Sequence, residues 1–289
     1  MGSCRALHIL AALAGTTLFV AGPLRAAPGS SCTATGPQNL VYPGDPNWTA
    51  DLRGAGNGAI TGANPRSGNG SLELTTAAHL TDWAFIERFA PAGGWGLLSQ
   101  INCLTFEWYR QLIPTPTDVP WSAQTPVLRL FIQDGQQQSE LVWEKYYTDA
   151  SPAVTGQWIS QDVFNDNLWR YVTGQGYTIA QCANVDPFFP NPLLTYSVVG
   201  WAGSGCFSST AFVTGIGLGV GSNWPYQYRG FVDNVQLGFA GQNGLTVDDN
   251  FELAPTSVPE PSTVLLVATG LAGVLGASWI RQRKKRSVV

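Results

Sequence analysis

Short apolar runs separated by turn-forming residues dominate the central part of the chain. Between residues 27 and 256 these runs are bounded by Gly, Pro, Asn and Asp, and none keeps a helical period over several turns. Alternation of apolar and polar positions is typical of strands with one buried face. The clearest runs lie at 71–75, 104–109, 127–132, 140–143, 212–220 and 230–238. The pattern therefore predicts a domain built from β-strands.

The runs at 127–132 and 140–143 flank Asp134 and Gly135, a dipeptide that favours a tight turn. We expect an antiparallel hairpin there. Because regular short strands in a chain of 289 residues are typical of two packed sheets, the expected fold class is all-β. The expected architecture is a two-sheet antiparallel sandwich.

The first 26 residues have the three parts of a secretory signal peptide. Arg5 precedes an apolar core at 9–20, and Leu24, Arg25 and Ala26 form a cleavage-like end before residue 27. The apolar core is too short to span a bilayer. A buried N-terminal helix is the alternative, but it leaves the basic start and the cleavage-like end unexplained. The sequence predicts export.

A second apolar segment lies near the other end of the chain. Residues 263–280 carry no charge and approach the length of about 20 residues that crosses a hydrocarbon core. A basic stop follows, formed by Arg281, Arg283, Lys284, Lys285 and Arg286. Because basic flanks stay on the cytoplasmic side, the predicted transmembrane helix leaves the preceding domain outside.

Five residues stand directly before this apolar segment: Val258, Pro259, Glu260, Pro261 and Ser262. The order Pro-Glu-Pro, apolar helix and basic end, over about 257–286, resembles the PEP-CTERM sorting signal. The resemblance implies processing by an exosortase, a membrane protease of Gram-negative bacteria that make exopolysaccharide. It implies an inner-membrane-anchored intermediate, followed by release to the cell surface or extracellular matrix. An ordinary tail anchor is the alternative.

These segments predict three parts: a signal peptide at 1–26, an ectodomain at 27–256 and a sorting signal at 257–289. The run at 70–74 and the closing run at 231–235 make the ectodomain similar to a jelly-roll or lectin-like sandwich. It also resembles a recurring ectodomain type among PEP-CTERM proteins. That resemblance implies a location and a fold, and it supplies no catalytic residue.

Charge is distributed unevenly along the chain. Residues 27–258 contain eight basic and eighteen acidic side chains, because the other basic residues lie in the two terminal segments. Nucleic-acid binding needs a basic face, so a nucleic-acid partner is not expected.

Four cysteines remain after the signal peptide: Cys32, Cys103, Cys182 and Cys206. An even number in an oxidising compartment predicts two disulfides. Of the three connectivities we favour Cys32 with Cys103 and Cys182 with Cys206, because the second pair brackets a loop rich in Gly and Pro. Free buried thiols are the alternative.

Catalytic motifs are sparse. His79 is the one histidine after the signal peptide, and no Gly-x-Ser-x-Gly elbow accompanies it, so an exposed loop histidine is the preferred interpretation. Polysaccharide hydrolysis needs only two positioned carboxylates. Glu107, Asp134, Glu140 and Glu144 lie in or beside predicted strands and keep this alternative open.

Ten tryptophans lie before the sorting signal, and their rings could stack on sugar rings. Trp121, Trp201 and Trp224 stand beside Pro or Gly and are the glycan-binding candidates. The alternative is packing, which we expect for Trp108 and Trp143 because both lie within predicted strands.

Asp233 lies in the closing strand, where jelly-roll sugar-binding modules often hold a structural Ca²⁺. With Asp45 or Asp51 it is the candidate calcium site, and no other cofactor is expected. The sequence thus predicts a non-enzymatic surface or matrix protein that binds glycan, with exopolysaccharide as the expected partner. A polysaccharide hydrolase and a purely structural matrix protein are the alternatives.

Overall fold

A computed structural model describes residues 32–113, 120–148, 151–173, 196–221, 224 and 226–254, without the side chains of residues 120 and 121. The predicted signal peptide and sorting helix lie outside these ranges. Within the described residues, no helix is long and apolar enough to cross a membrane.

The described strands, numbered in chain order, form two sheets. The first sheet contains β1 (Asn39–Val41), β3 (Asn57–Thr61), β4 (Ser71–Thr76), β7 (Ile101–Arg110), β10 (Trp158–Asp162), β13 (Tyr228–Phe239) and β14 (Leu245–Phe251). The second contains β2 (Trp48–Arg53), β5 (Trp83–Phe89), β6 (Gly96–Leu97), β8 (Val127–Asp134), β9 (Gln137–Trp143), β11 (Trp169–Val172) and β12 (Phe212–Gly221). The connections include the 3-10 helices Leu98–Gln100 and Pro120–Ala123 and the short helices α1 (Lys145–Thr148) and α2 (Val198–Gly203).

Strand order confirms the all-β sandwich. The second sheet runs β11-β9-β8-β12-β5-β2, with β6 beside β12. The first runs β1-β14-β13-β4-β3, with β7 along the other side of β13 and β10 beyond it. Of the strand pairs described, only β1 with β14 is parallel, so the sandwich departs from the expected antiparallel pattern at this edge.

The core lies between the two sheets. It is filled by the apolar residues for which the alternating pattern predicts a buried face. All six predicted runs form strands, and β8 and β9 form the predicted hairpin across Asp134 and Gly135. Trp108 and Trp143 are both buried, which confirms their predicted packing role. Phe106 of β7 meets Trp143 of β9 edge to face at 5.3 Å, so aromatic rings join the two sheets directly.

β13 changes partner near its middle. It pairs with β4 up to Val232 and with β14 from Val235 onward. Asn234, at the change, has a φ of 50°, a left-handed conformation that asparagine tolerates better than most residues. Its side-chain amide donates to the Ser67 hydroxyl at 2.8 Å and thereby ties the loop before β4 to this point.

Candidate functional site

Two of the predicted glycan-binding tryptophans are part of the core. Trp201 lies in α2 with no exposed surface, and its indole nitrogen donates to the carbonyl of Leu168 at 2.8 Å. Trp224 is 4% exposed and packs edge to face on Tyr228 at 5.0 Å. A buried ring cannot stack on a sugar, so both predictions were wrong. The side chain of Trp121 lies outside the described residues, and its role stays a prediction.

The side-chain carboxylate of Asp233, the candidate calcium ligand, is hydrogen-bonded to backbone amides of the protein. Its carboxylate accepts hydrogen bonds from the backbone amides of Phe251 and Asn234, both at 2.9 Å, and from Ser67 at 3.4 Å. Burial raises the pKa of Asp233 to about 7, although these backbone hydrogen bonds lower it. The carboxylate therefore holds the point at which β13 changes partner.

The other two calcium candidates lie elsewhere. Asp45 accepts hydrogen bonds from the backbone and side chain of Asn47, and Asp51 is exposed on β2 of the second sheet. Among the described residues, no three acidic, histidine or cysteine side chains are grouped to hold a metal ion. A calcium site built on Asp233 remains a prediction without structural support.

One of the two expected disulfides lies entirely within the described residues. Cys32 is bonded to Cys103, as favoured from the sequence. Cys206 is also disulfide-bonded. Because Cys182 lies outside the described ranges, its pairing with Cys206 stays a prediction. His79 is exposed in the loop after β4, as expected.

The four carboxylates of the hydrolase alternative are divided between the two sheets. Glu107 of the first sheet forms an ion pair with Arg66 at 2.9 Å. Asp134 accepts a hydrogen bond from the backbone amide of Ser208 at 2.9 Å. Asp134 ends β8, and Glu140 and Glu144 lie in and beside the neighbouring strand β9, so these three carboxylates belong to the second sheet.

A row of glycines marks the outward side of the second sheet. In β12, Ile216, Leu218 and Val220 point into the core and are fully buried. The alternate positions Gly215, Gly217, Gly219 and Gly221 therefore present bare backbone on the opposite side. Glycine weakens a strand interior, so four alternating glycines indicate that neighbouring groups approach the backbone closely.

Aromatic rings from both adjacent strands lie over this row. The ring of Phe85 from β5 covers Gly219, where an added Cβ would overlap it. At Gly215, a Cβ would come within 2.8 Å of Phe89 and 3.1 Å of Phe131. These last two rings lie 5.0 Å apart, and Phe89 is 51% exposed. β12 therefore has glycines at the positions where these aromatic rings pack against its backbone.

Charged side chains border the rings. The guanidinium of Arg129 lies 3.7 Å from the centre of the Phe85 ring and forms an ion pair with Glu140 at 3.0 Å. Glu87 leans over Gly217, with its Cγ 3.5 Å from where a Cβ would stand. Burial raises the pKa of Glu87; the charge of Arg129 opposes this, and those of Asp51 and Glu140 reinforce it.

We call this surface the glycine face. Its members share the outward side of four neighbouring strands and are Phe85, Glu87, Phe89, Arg129, Phe131, Glu140, Gly215, Gly217 and Gly219. Trp169 and Tyr171 continue the same side on β11, opposite Val142 and Glu140. Burial raises the pKa of Glu144, just after β9, to about 7, and Arg129 and Trp169 oppose the shift.

The described residues also line an apolar cleft of about 290 Å³ between the edge strands β2 and β3. Trp48, Ile60 and Phe251 form much of its wall. The indole nitrogen of Trp48 already donates to Asp249 at 2.9 Å, so this side chain offers a ligand no free polar group. The glycine face, which combines exposed rings with charged groups, is the better candidate site.

Of this face, sequence reasoning identified only Glu140, as one of the carboxylates of the hydrolase alternative. The signal was present in the alternating glycines of β12, which indicate close neighbours on one side of the strand. The strand β5, which supplies Phe85, Glu87 and Phe89, was not among the predicted runs. Without β5, the partner of the glycine row could not be identified.

Comparisons with known proteins bear mainly on the sorting signal. Residues 257–283 match the PEP-CTERM protein-sorting motif, which confirms the resemblance seen in the sequence and indicates export and surface sorting. The motif implies processing by an exosortase. No curated protein matches the chain.

Several solved structures share a distant likeness. The family 11 carbohydrate-binding module from Clostridium thermocellum, in complex with a β-1,3-1,4-mixed-linked tetrasaccharide, is 11% identical with a TM-score of 0.36, covering 69% of this chain and 93% of that one. Cellulose induced protein Cip1 is 13% identical with a TM-score of 0.35, covering 68% and 93%. An agarase is 11% identical with a TM-score of 0.33, covering 68% of this chain and 23% of the agarase. Likeness this distant carries no argument about function.

Taken together, the sandwich and the matched motif define a class, an exported β-sandwich protein with a C-terminal PEP-CTERM signal.

Proposed function

We propose that this protein is a cell-surface or extracellular-matrix component whose glycine face binds polysaccharide without catalysis. The observation that carries the proposal is the Phe89–Phe131 ring pair, partly exposed above bare backbone and bordered by charged side chains. The bound polymer is exopolysaccharide. The bacterium is Gram-negative, and the chain passes through an inner-membrane-anchored intermediate.

The chemistry of the face suits a sugar chain. Aromatic rings pack against the apolar C–H faces of sugars, and the missing side chains at Gly215 and Gly217 let the Phe89 and Phe131 rings lie close to the sheet. Carboxylate and guanidinium groups bind hydroxyls with charge-assisted hydrogen bonds. Glu87, Arg129 and Glu140 lie beside the rings and can provide these bonds.

The test is affinity electrophoresis of the full chain, purified in mild detergent, in gels that each contain one polysaccharide. The panel includes mixed-linkage β-glucan, agarose, dextran, chitosan and polygalacturonate. We expect retardation in at least one gel and about tenfold weaker binding for Phe89→Ala, equivalent to about 1.4 kcal/mol. Phe89 is half exposed, so the variant should fold.

Leu112→Ala is the matched control, because Leu112 is 72% exposed and follows β7 of the first sheet. It should bind like the parent chain. Equal weakening in both variants, or no retardation in any gel, would exclude glycan binding at this face. The latter result would favour the purely structural matrix role.

A second candidate function is polysaccharide hydrolysis, which one observation favours. Glu140 forms an ion pair with Arg129, and burial raises the pKa of Glu144, just after the same strand, to about 7, so Glu144 can carry a proton near neutral pH as a general acid must. Release of new reducing ends from the bound polysaccharide, abolished by Glu144→Gln, would replace the binding proposal with this one. We expect no release.

A further inference from the structure

We propose that the polymer bound at the glycine face carries free amino groups, as deacetylated amino sugars do, and not carboxylates. This inference rests on the proposed function and adds the chemical class of the ligand. The rings Phe89 and Phe131 account for stacking on any sugar. The charged groups around them determine which sugar is preferred.

The cationic groups on this side of the sheet are already engaged. Arg129 covers the Phe85 ring and is paired with Glu140. Arg53, farther along the same side, lies 3.6 Å above the ring of Trp83. An anionic ligand at Arg129 would therefore have to compete with Glu140 for the guanidinium.

In contrast to Arg129, Glu87 has a charged group that forms no ion pair with a described residue. No hydrogen bond or ion pair to this carboxylate comes from the described residues, and Arg129 pairs with Glu140 instead. Its side chain extends over Gly217 beside the Phe131 ring, so the carboxylate lies next to the ring pair. A sugar stacked on Phe131 would therefore place its substituents next to this carboxylate.

The surroundings make a cation the favoured substituent. The charge of Arg129 attracts the Glu87 carboxylate, but Asp51 on the neighbouring strand and Glu140 both act on it as like charges and offset part of this attraction. A carboxylate that is partly desolvated and repelled by its neighbours gains most from a positive partner. A uronate would add repulsion, and an N-acetyl group would offer only a neutral amide.

Long-range attraction acts in the same direction. Residues 27–258 contain eighteen acidic and eight basic side chains, so the domain attracts a polycation and repels a polyanion. This contribution weakens as salt is added, because exposed charges are screened within about 10 Å at 0.1 M salt.

The experiment is calorimetric titration of the full chain in detergent with three hexamers of equal length, built from glucosamine, N-acetylglucosamine or galacturonate. We expect glucosamine hexamer to bind about tenfold tighter than the acetylated hexamer and galacturonate hexamer to bind weakest. Glu87→Gln should remove most of the preference by weakening the glucosamine hexamer about tenfold and the acetylated hexamer far less. Glu73→Gln, the same change on the first sheet, should keep the preference.

Each outcome separates the two proposals. Equal affinity for the glucosamine and acetylated hexamers would overturn this inference and leave glycan binding intact. A preference that survives Glu87→Gln but disappears in salt would overturn the role of Glu87. Failure to bind any hexamer, together with no retardation in the polysaccharide gels, would overturn the proposed function itself.

Discussion

Gly217 and Gly219 lie two residues apart on β12, and an added methyl group would meet very different surroundings at each. At Gly219 the methyl carbon would overlap the ring of Phe85, which is 3% exposed and covered by Arg129. At Gly217 the nearest atoms belong to Phe131 at 3.2 Å and to Glu87 at 3.5 Å. Both of those side chains are partly exposed, and a shift of a few tenths of an ångström relieves the contact at 3.2 Å.

The expected energies follow from this difference. Forcing Phe85 off the sheet also displaces Arg129, and overpacking of this kind costs about 1–3 kcal/mol. Replacing glycine by alanine within a strand recovers roughly 0.5–1 kcal/mol from the unfolded chain. Gly219→Ala should therefore lower the free energy of unfolding by about 1–2 kcal/mol. Gly217→Ala should stay within about 0.5 kcal/mol of the parent chain.

Chemical denaturation of the two variants measures these energies. Phe85→Leu, introduced into the parent and into Gly219→Ala, completes a double-mutant cycle. We expect a coupling energy of about 1 kcal/mol or more, because the smaller side chain leaves room for the methyl group. Equal destabilisation by the two alanine variants, or no coupling, would show that Phe85 does not lie on Gly219. The packing argument for the glycine face would then fail.

Three further predictions concern stability. Trp201→Ala should lower the free energy of unfolding by about 3–5 kcal/mol, because a buried ring is lost and the Leu168 carbonyl loses one of its two donors; parental stability in denaturant titrations would contradict its burial. Replacing Cys32 and Cys103 by serine should cost about 4 kcal/mol, since the bond closes a loop across a sequence separation of 71; thermal melts in non-reducing buffer check this. Asp233 has a folded pKa of about 7, above its unfolded value, so the folded state binds the proton more tightly. Stability from this group is complete below about pH 4 and is lost as the pH rises through 7, with a slope of at most about 1.4 kcal/mol per pH unit. Denaturation at several pH values should show a flatter profile for Asp233→Asn, and an unchanged profile would contradict the assignment.

Strands with strict alternation of apolar and polar residues were predictable from the sequence, and so were the side chains that these strands bury in the core. The hairpin at Asp134 and Gly135 is an example, because the turn dipeptide and both flanking patterns agree. Trp108 and Trp143 were assigned to the core for the same reason. Local pattern determines these features, since each depends only on neighbouring residues.

Features that depend on distant residues were not predictable in this way. Trp201 and Trp224 stand beside Gly or Pro, which indicates a turn but says nothing about what packs over it. The glycine face needs β5, β8 and β12 to be neighbours, and only the folded sheet brings them together. The alternating glycines indicated a close approach without identifying Phe85 as the group that approaches.

The position of β14 has a consequence for the timing of export. Asp249 pairs with Asn39 of β1 in the parallel ladder and forms an ion pair with Arg88 of β5, contacts that span 210 and 161 positions in the sequence. Pairings this distant in the chain form late, because a long loop must close first. The sandwich therefore cannot be completed until the chain up to residue 251 is available. The sorting motif at 257–283 follows within a few residues, so the residues that complete the fold and those of the motif become available at nearly the same stage of synthesis. A substitution that slows folding should then reduce the yield of correctly sorted protein even where the final stability is unchanged.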